Sequence, residues 1–224
     1  MNRFFRVVLF ASAAIIGGSA TASASSMTIG GLNSTCATCQ GSSYTLDISQ
    51  APTELNSDNL LDTYLVTLTI DTSGYNGGGT RIDEVAVKVS SGVDVAQLSL
   101  APGGTNSWAL VPGGISASGC SGSGSGFECA DWKANSPNGA FIPNLSQLNP
   151  YLLTWQFTID IAGPLFSFTS TNPDLLPSIK ARYVDDAGNK VGALVSEKVP
   201  EPGTLALLGL GASLAAIRRR RDQR

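Results

Sequence analysis

Apolar and polar residues alternate along several segments of this chain, and this period of two constrains the fold more strongly than any other feature of the sequence. In the segment 62–71, apolar side chains occupy every second position, and threonines stand between most of them. The segments 151–161, 85–89 and 179–183 follow the same pattern. Side chains of a β-strand point alternately to its two faces, so each segment predicts an antiparallel strand with one buried and one solvated face.

Turn-forming segments separate the predicted strands. Glycine, proline, asparagine and aspartate, which suit tight connections, concentrate in four segments at 71–81, 99–107, 110–116 and 184–192. The last segment predicts a hairpin that joins 179–184 to 190–199. No segment between residues 25 and 199 has the period of a long amphipathic helix. We therefore predict an all-β fold, an antiparallel β-sandwich with a jelly-roll or immunoglobulin-like arrangement whose strand order stays open.

The first 24 residues have the three parts of a secretory signal peptide. Arg3 and Arg6 form a basic start, an apolar run covers 7–16, and Ala22 and Ala24 form a cleavage site of small residues. This order is typical of a signal peptide, and a buried N-terminal helix is the alternative. We predict cleavage after Ala24 and export of the residues that follow.

The chain ends in an apolar run between two prolines and a basic cluster. Residues 203–217 carry no charge and would span about 22 Å as a helix, which is short of the roughly 30 Å of a bilayer core. Pro200 and Pro202 prevent a helix from extending upstream. Four arginines follow the run as a positive-inside stop: Arg218, Arg219, Arg220 and Arg221. The segment predicts a short transmembrane helix that holds the chain temporarily, and an ordinary tail anchor is the alternative.

These three parts of the C terminus resemble a known sorting signal. Pro200-Glu201-Pro202, an apolar segment rich in Leu, Gly and Ala, and terminal arginines, in this order, closely resemble the PEP-CTERM tail of exported proteins from exopolysaccharide-producing bacteria. The resemblance implies that an exosortase, a membrane transpeptidase-like protease, recognises Pro200, Glu201 and Pro202 and cleaves near them. It also implies that the arginines are the cytoplasmic stop and that the protein passes from the inner membrane to the cell surface or extracellular matrix. The predicted domains are a signal peptide at 1–24, an ectodomain at 25–199 and a sorting tail at 200–224.

Charge and composition narrow the function of the ectodomain. Residues 25–199 include seven basic and fifteen acidic residues, a net charge of −8, which does not favour binding to nucleic acid. The chain has no histidine, so it lacks the most frequent general base and metal ligand and has no Ser-His-Asp or Cys-His arrangement. We predict no catalytic residues, no cofactor and no metal.

Four cysteines stand in a chain predicted to enter an oxidising compartment. They form two local pairs in the sequence, Cys36 with Cys39 and Cys120 with Cys129. Three pairings are open, and the local one is favoured because the partners are already close in sequence. A redox-active Cys36–Cys39 dithiol requires a helix N terminus, and a zinc site requires four close ligands. The surrounding sequence indicates neither, so we predict structural disulfides.

Two pairs of adjacent carboxylates occur, at Asp83-Glu84 and Asp185-Asp186. A glycosidase uses two carboxylates that flank one bond, but neighbours on a regular strand point to opposite faces. We therefore expect Asp83 and Glu84 not to share a cleft. Asp185 and Asp186 are expected to stabilise a turn.

Three aromatic residues near predicted loops, Tyr75, Trp108 and Trp132, are candidates to stack on sugar rings or to fill the ends of the core. The sequence as a whole predicts an exported, exosortase-processed structural protein of the cell surface or extracellular matrix, with exopolysaccharide as a candidate partner. A carbohydrate-binding or adhesion module is the alternative. A secreted hydrolase that uses carboxylates is a third hypothesis.

Overall fold

The computed structural model describes residues 25–31, 36–56, 58, 60–120, 124–133, 135, 140–143 and 148–198. The predicted signal peptide and the whole predicted sorting tail lie outside these residues. Within the described ranges, none of the helices has the length and apolar character needed to cross a membrane.

The described residues form β-strands joined by turns and three short 3-10 helices. The strands, in chain order, are β1 Ser25–Gly30, β2 Ser43–Gln50, β3 Thr63–Asp71, β4 Arg81–Lys88, β5 Val93–Leu100, β6 Trp108–Pro112, β7 Ile115–Ser116, β8 Gly119–Cys120, β9 Phe127–Trp132, β10 Ala140–Phe141, β11 Leu152–Ile161, β12 Ser178–Val184 and β13 Val195–Lys198. The 3-10 helices cover Ala37–Cys39, Thr105–Ser107 and Pro173–Leu175. The prediction of an all-β fold is confirmed.

The strands assemble into two large antiparallel sheets and one small one. The first sheet has the order β1-β2-β3-β11-β5, and the second has the order β13-β12-β4-β9-β6, with β10 paired to the start of β4. The hairpin β7–β8 forms the small sheet. Every pairing is antiparallel, and the predicted hairpin between β12 and β13 is confirmed by its register, which runs from Ser178 opposite Lys198 to Ala181 opposite Val195.

One hydrophobic core contains residues from both large sheets. Trp155 and Phe157 of β11 and Val85 and Val87 of β4 are all fully buried in the same cluster. The rings of Trp155 in the first sheet and Trp108 in the second meet edge to face, with centroids 5.4 Å apart. In β3, β4, β11 and β12 the core residues include the apolar ones of the alternating pattern, so the burial of one face of these strands stabilises the fold.

Ala86 and Asp160 are examples of residues that are buried on faces that the alternation predicts to be solvated. Ala86 of β4 is fully buried because it packs with Ile115 of the β7–β8 hairpin in a second, small apolar cluster. Asp160 of β11 is fully buried because Asn56, from the connection between β2 and β3, and Thr63 bond to its carboxylate. In both cases an irregular segment covers a strand end or a sheet face that the strand pattern alone leaves open.

Candidate functional site

The outer face of the second sheet carries an ion cluster that a bulge in β4 creates. The register between β12 and β4 shifts after Arg182, which pairs with Glu84, to Tyr183, which pairs with Ile82. Asp83 is the extra residue, and such a bulge lets two successive side chains lie on one side of the sheet. Arg182 donates to Asp83 at 2.6 Å and forms an ion pair with Glu84 at an N–O distance of 2.7 Å.

The reason given for the expectation that Asp83 and Glu84 do not share a cleft does not hold in this fold. It rested on a regular strand, and the bulge removes that condition. The two carboxylates share one guanidinium rather than facing an open cleft, because the side chains of Glu84 and Arg182 are only 3% and 15% exposed.

The β7–β8 hairpin lies directly over this ion cluster. Gly119 has a φ of +120°, and a Cβ at this position would lie 2.6 Å from Oε1 of Glu84. The hairpin therefore needs glycine here both for its backbone conformation and for its close approach. Burial raises the pKa of Glu84 to about 7, although Arg182 opposes the shift. The pKa of Asp131, on the neighbouring strand, is raised by burial and by Asp83.

Both predicted disulfides are present with the predicted local pairing. Cys120 of β8 is bonded to Cys129 of β9, so the hairpin is covalently attached to the sheet that it covers. Cys36 is bonded to Cys39 around a 3-10 helix. These bonds are consistent with the structural role predicted for the cysteines.

A cleft of about 390 Å³ opens on the outer face of the second sheet and below the connection between β11 and β12. Its lining residues come from β4, β9, β12, β13 and the segment 166–176: Lys88, Phe127, Phe166, Pro173, Asp174, Leu176, Ser178, Lys180, Ser196, Glu197 and Lys198. Three lysines and two phenylalanines thus converge in one cleft.

The rings of the cleft hold two of its lysines in place. The ammonium of Lys180 lies 4.8 Å from the centroid of Phe127, and the ammonium of Lys88 lies 5.7 Å from the centroids of both Phe127 and Phe166. Cation–π contacts of this kind favour defined positions for the ammonium groups without neutralising their charge. Lys180 also donates to the carbonyl oxygen of Ile115 at 3.3 Å.

An acidic cluster lies elsewhere, where the β2–β3 connection meets β11. Ligand oxygens of Glu54, Asp62 and Asp160 all lie within 4.8 Å of one another. Thr63 donates to Glu54 at 2.6 Å and is 2.8 Å from Asp160, while Asn56 donates to Asp160 at 2.8 Å. Burial, reinforced by the charge of Asp160, raises the pKa of Asp62.

Carboxylate oxygens are the donors that hard cations such as Ca²⁺ prefer, at six to eight per ion. Oxygens of Glu54 and Asp160 are instead engaged by hydrogen bonds from Thr63 and Asn56. The second group with metal-ligand spacing contains Glu84, Asp131 and Cys120, but Cys120 is bonded to Cys129 and has no thiolate to offer. The geometry assigns a metal to neither group.

The three aromatic residues predicted as sugar contacts lie away from the lysine-lined cleft. Trp108 is 3% exposed, and its indole N–H donates to the carbonyl oxygen of Pro102 at 2.9 Å. Trp132 is half-buried and meets Trp108 edge to face. Tyr75 stacks on Tyr183 with centroids 4.6 Å apart.

These aromatic residues therefore act mainly as packing groups in the observed fold. Trp132 and Tyr75 remain partly exposed, and the ring of Trp132 meets that of Phe141 with centroids 5.9 Å apart. The geometry favours a role in filling the ends of the core over a role in stacking on sugar rings.

Sequence reasoning did not find the lysine-lined cleft or the acidic cluster. Lys88 and Lys180 stand on predicted polar faces, so the alternation contained part of the signal. Only the strand pairing, with Lys88 opposite both Ser178 and Phe127, brings the cleft residues together.

Comparison with known protein families gives a match at the C-terminal end of the chain. A family model described as the PEP-CTERM protein-sorting motif matches residues 198–221. The chain carries a PEP-CTERM sorting motif. The match begins at Lys198, which is the last residue of β13, so the PEP-CTERM motif follows the second sheet without a long spacer. The predicted recognition residues Pro200, Glu201 and Pro202 and the predicted stop at Arg218, Arg219, Arg220 and Arg221 lie within the match but outside the residues that the structure describes.

The PEP-CTERM motif implies an exported protein with a C-terminal sorting signal that exosortase processes. Neither the comparison with curated proteins nor the comparison with solved structures gives a match.

Proposed function

We propose that this chain is a structural protein of the cell surface or extracellular matrix, without catalytic activity, that exosortase releases from a transient inner-membrane anchor. The observation that carries the proposal is the PEP-CTERM motif at residues 198–221, directly after the last strand of a β-rich domain. The N-terminal 24 residues, with the pattern of a signal peptide, support export of the same chain.

Physical properties of the tail support a transient anchor. The uncharged run at 203–217 is too short to span a bilayer core comfortably, and the arginines after it hold its end at the cytoplasmic face. An anchor of this kind keeps the chain at the membrane while a protease acts on the segment in front of it. Because Lys198 ends β13, cleavage near Pro200 would release the β-domain with its strands intact.

The arrangement of the two large sheets supports a β-sandwich of the jelly-roll or immunoglobulin-like class as the architecture of the released domain. Both sheets contribute to one core, and their strands alternate between the sheets along the chain, with β3 in the first, β4 in the second and β5 in the first again. Such crossing connections are typical of Greek-key sandwiches.

The engagement of the candidate acid–base groups supports a non-catalytic role. Asp83 and Glu84 are bonded to Arg182 beneath a disulfide-bonded hairpin, and Asp160 is fully buried and hydrogen-bonded. A carboxylate-dependent hydrolase requires two carboxyl groups on either side of a bond that is accessible to substrate.

Substitution of the sorting residues tests the proposal in a host that contains exosortase. The variant with Pro200, Glu201 and Pro202 all changed to Ala is expected to keep its tail and to stay in the membrane fraction, whereas the wild type is processed. A matched control changes residues 222–224, which lie beyond the motif match, to Ala and is expected to be processed normally. Normal processing of the Pro200-to-Pro202 variant would overturn the proposal.

A carbohydrate-binding or adhesion module is the second candidate function. The lysine- and phenylalanine-lined cleft favours this function. Ligand sites typically combine aromatic surface with a small number of polar groups that point into the same space. Affinity electrophoresis in gels that contain the host's exopolysaccharide tests this function. Retarded migration of the protein would support carbohydrate binding, and unchanged migration would contradict it.

A further inference from the structure

The cleft on the second sheet concentrates positive charge in a domain that is otherwise acidic. Residues 25–199 include seven basic and fifteen acidic residues, and three of the basic ones, Lys88, Lys180 and Lys198, line this one cleft. The concentration of charge indicates a site for an anionic group.

The carboxylates that line the cleft are engaged with other partners. Asp174 forms an ion pair with Lys198 at 3.1 Å. Glu197 accepts a hydrogen bond from Thr38 at 2.5 Å, and it alternates in direction with Ser196 and Lys198 along β13. Lys198 and Asp174 therefore neutralise each other, and Glu197 is directed toward the 3-10 helix at Ala37–Cys39.

Lys88 and Lys180 keep their charge available to a ligand. Among the described residues, the ion pairs involve Arg182 and Lys198 but neither of these two lysines. Both side chains are half-buried, and both ammonium groups lie within 6 Å of the centroid of Phe127. Two partly desolvated positive charges held by the same ring form a preorganised anion site, where an ionic contact is stronger than in open water.

We propose that this cleft binds the carboxylate of an acidic sugar, a uronic acid residue of a polysaccharide. The inference rests on the proposed function for the location at the cell surface or in the matrix, and it deepens the carbohydrate-binding candidate by naming the class of sugar. Lys88 and Lys180 bind the carboxylate. Ser178, whose hydroxyl donates to the carbonyl oxygen of Leu176 at 3.3 Å, and Ser196 also line the cleft, and their hydroxyl oxygens accept hydrogen bonds from sugar hydroxyls. A volume of about 390 Å³ lies within the roughly 300–1,000 Å³ of small-ligand sites.

Calorimetric titration of the full-length protein in detergent micelles tests this site. The ligands are trigalacturonate, which carries carboxylates, maltotriose, which is a neutral sugar of the same length, and inorganic phosphate, which is an anion without a sugar. We expect trigalacturonate to bind, the two other ligands to bind at least tenfold more weakly, and the trigalacturonate affinity to fall as salt screens the ion pairs.

Paired lysine substitutions assign the binding to the cleft. The variant K88Q/K180Q is expected to lose at least tenfold in affinity for trigalacturonate. The control K133Q/K190Q removes the same charge from exposed lysines whose ammonium groups bond to the carbonyls of Asn106 and Gly192 outside the cleft, and its affinity is expected to stay within about twofold of the wild type. Thermal unfolding checks that each variant is folded, and the single variants K88Q and K180Q replace the double variant if it is not.

Each contrary result overturns the assignment to a uronate. Absence of trigalacturonate binding, equal binding of maltotriose or phosphate, or unchanged affinity in the cleft variants all do so. Failure of this inference is distinguishable from failure of the proposed function, because tail processing is measured separately by mass. If the wild type is processed normally but does not bind trigalacturonate, only the uronate site is contradicted. If the Pro200-to-Pro202 variant is processed normally, the sorting role is contradicted.

Discussion

The phenol oxygens of Tyr44 and Tyr183 lie 2.6 Å apart in the core, and this hydrogen bond joins the two large sheets. Tyr44 belongs to β2 and Tyr183 to β12, and both side chains are at most 1% exposed. Tyr183 also donates to Oγ of Ser42 at 2.9 Å. Burial raises the pKa of Tyr183 to about 12 and the pKa of Tyr44 well above its ordinary value, so both tyrosines stay neutral at physiological pH.

Removal of the Tyr183 hydroxyl is expected to cost more stability than removal of the Tyr44 hydroxyl. Tyr183→Phe leaves both Tyr44 and Ser42 without this partner, whereas Tyr44→Phe leaves the bond from Tyr183 to Ser42 in place. An unsatisfied buried polar group costs about 1–3 kcal/mol, so we expect a loss in that range for Y183F and about 1 kcal/mol for Y44F. Urea unfolding of both variants measures the difference, and equal losses would contradict the geometry.

Stability is expected to fall as the pH rises from about 4.5 to 7. Burial raises the pKa of Glu84 and of Glu128 from 4.5 to about 7. The folded state therefore holds more protons than the unfolded state in this window, and the free energy of unfolding decreases with pH. One unit of pKa corresponds to about 1.4 kcal/mol, so we expect a decrease on the order of 1–3 kcal/mol per carboxyl.

The variant E128Q isolates this pH dependence, because an amide at position 128 does not titrate. We expect urea unfolding of E128Q between pH 4.5 and 7.5 to show a smaller decrease in stability than the wild type. The control D94N removes an exposed carboxylate on β5 and is expected to keep the wild-type slope. An equal or steeper decrease of stability with pH in E128Q would contradict a raised pKa for Glu128 in the folded wild type.

Asp62→Asn is expected to stabilise the fold when divalent cations are removed with EDTA. Oδ1 of Asp62 is buried without a hydrogen-bond partner among the described residues, and burial and nearby carboxylates raise the pKa of its carboxyl. An amide removes the repulsion from Glu54 and Asp160 and supplies N–H donors to them. Thermal unfolding at pH 7 in EDTA measures the effect, and a lower midpoint for D62N than for the wild type would oppose this explanation.

Loss of the Cys120–Cys129 disulfide is expected to destabilise the domain more than loss of the Cys36–Cys39 disulfide. The first bond closes the longer loop, with a sequence separation of 9 against 3. The chain-entropy relation gives about 3 kcal/mol for the first and about 2 kcal/mol for the second. Urea unfolding of C120S/C129S and C36S/C39S tests the order, and a larger loss in C36S/C39S would contradict it.

The alternating pattern predicted β3, β4, β11 and β12 because it reflects which side chains the core buries. Leu153, Trp155 and Phe157 of β11 are fully buried as the pattern requires. The local pairing of the cysteines was also predictable, since short sequence separations bring the partners within reach. These features depend on residues that are close along the chain.

Features that depend on pairing between distant strands were not predictable in the same way. The bulge that places Asp83 beside Glu84 arises from the register with β12, and a sequence pattern does not show an extra residue in a strand. The cleft requires Lys88, Phe127 and Lys180 to be neighbours on three strands. The sorting motif was predictable in full because all its parts are consecutive.

The mass of the protein recovered from the cell surface or the culture medium decides whether the tail is a signal for processing. We predict a chain that begins after the signal peptide and ends near Pro200, Glu201 or Pro202, with the apolar run and the arginines removed. Recovery of released protein that still carries residues 203–224 through Arg224 would contradict sorting by exosortase and, with it, the proposed route to the cell surface.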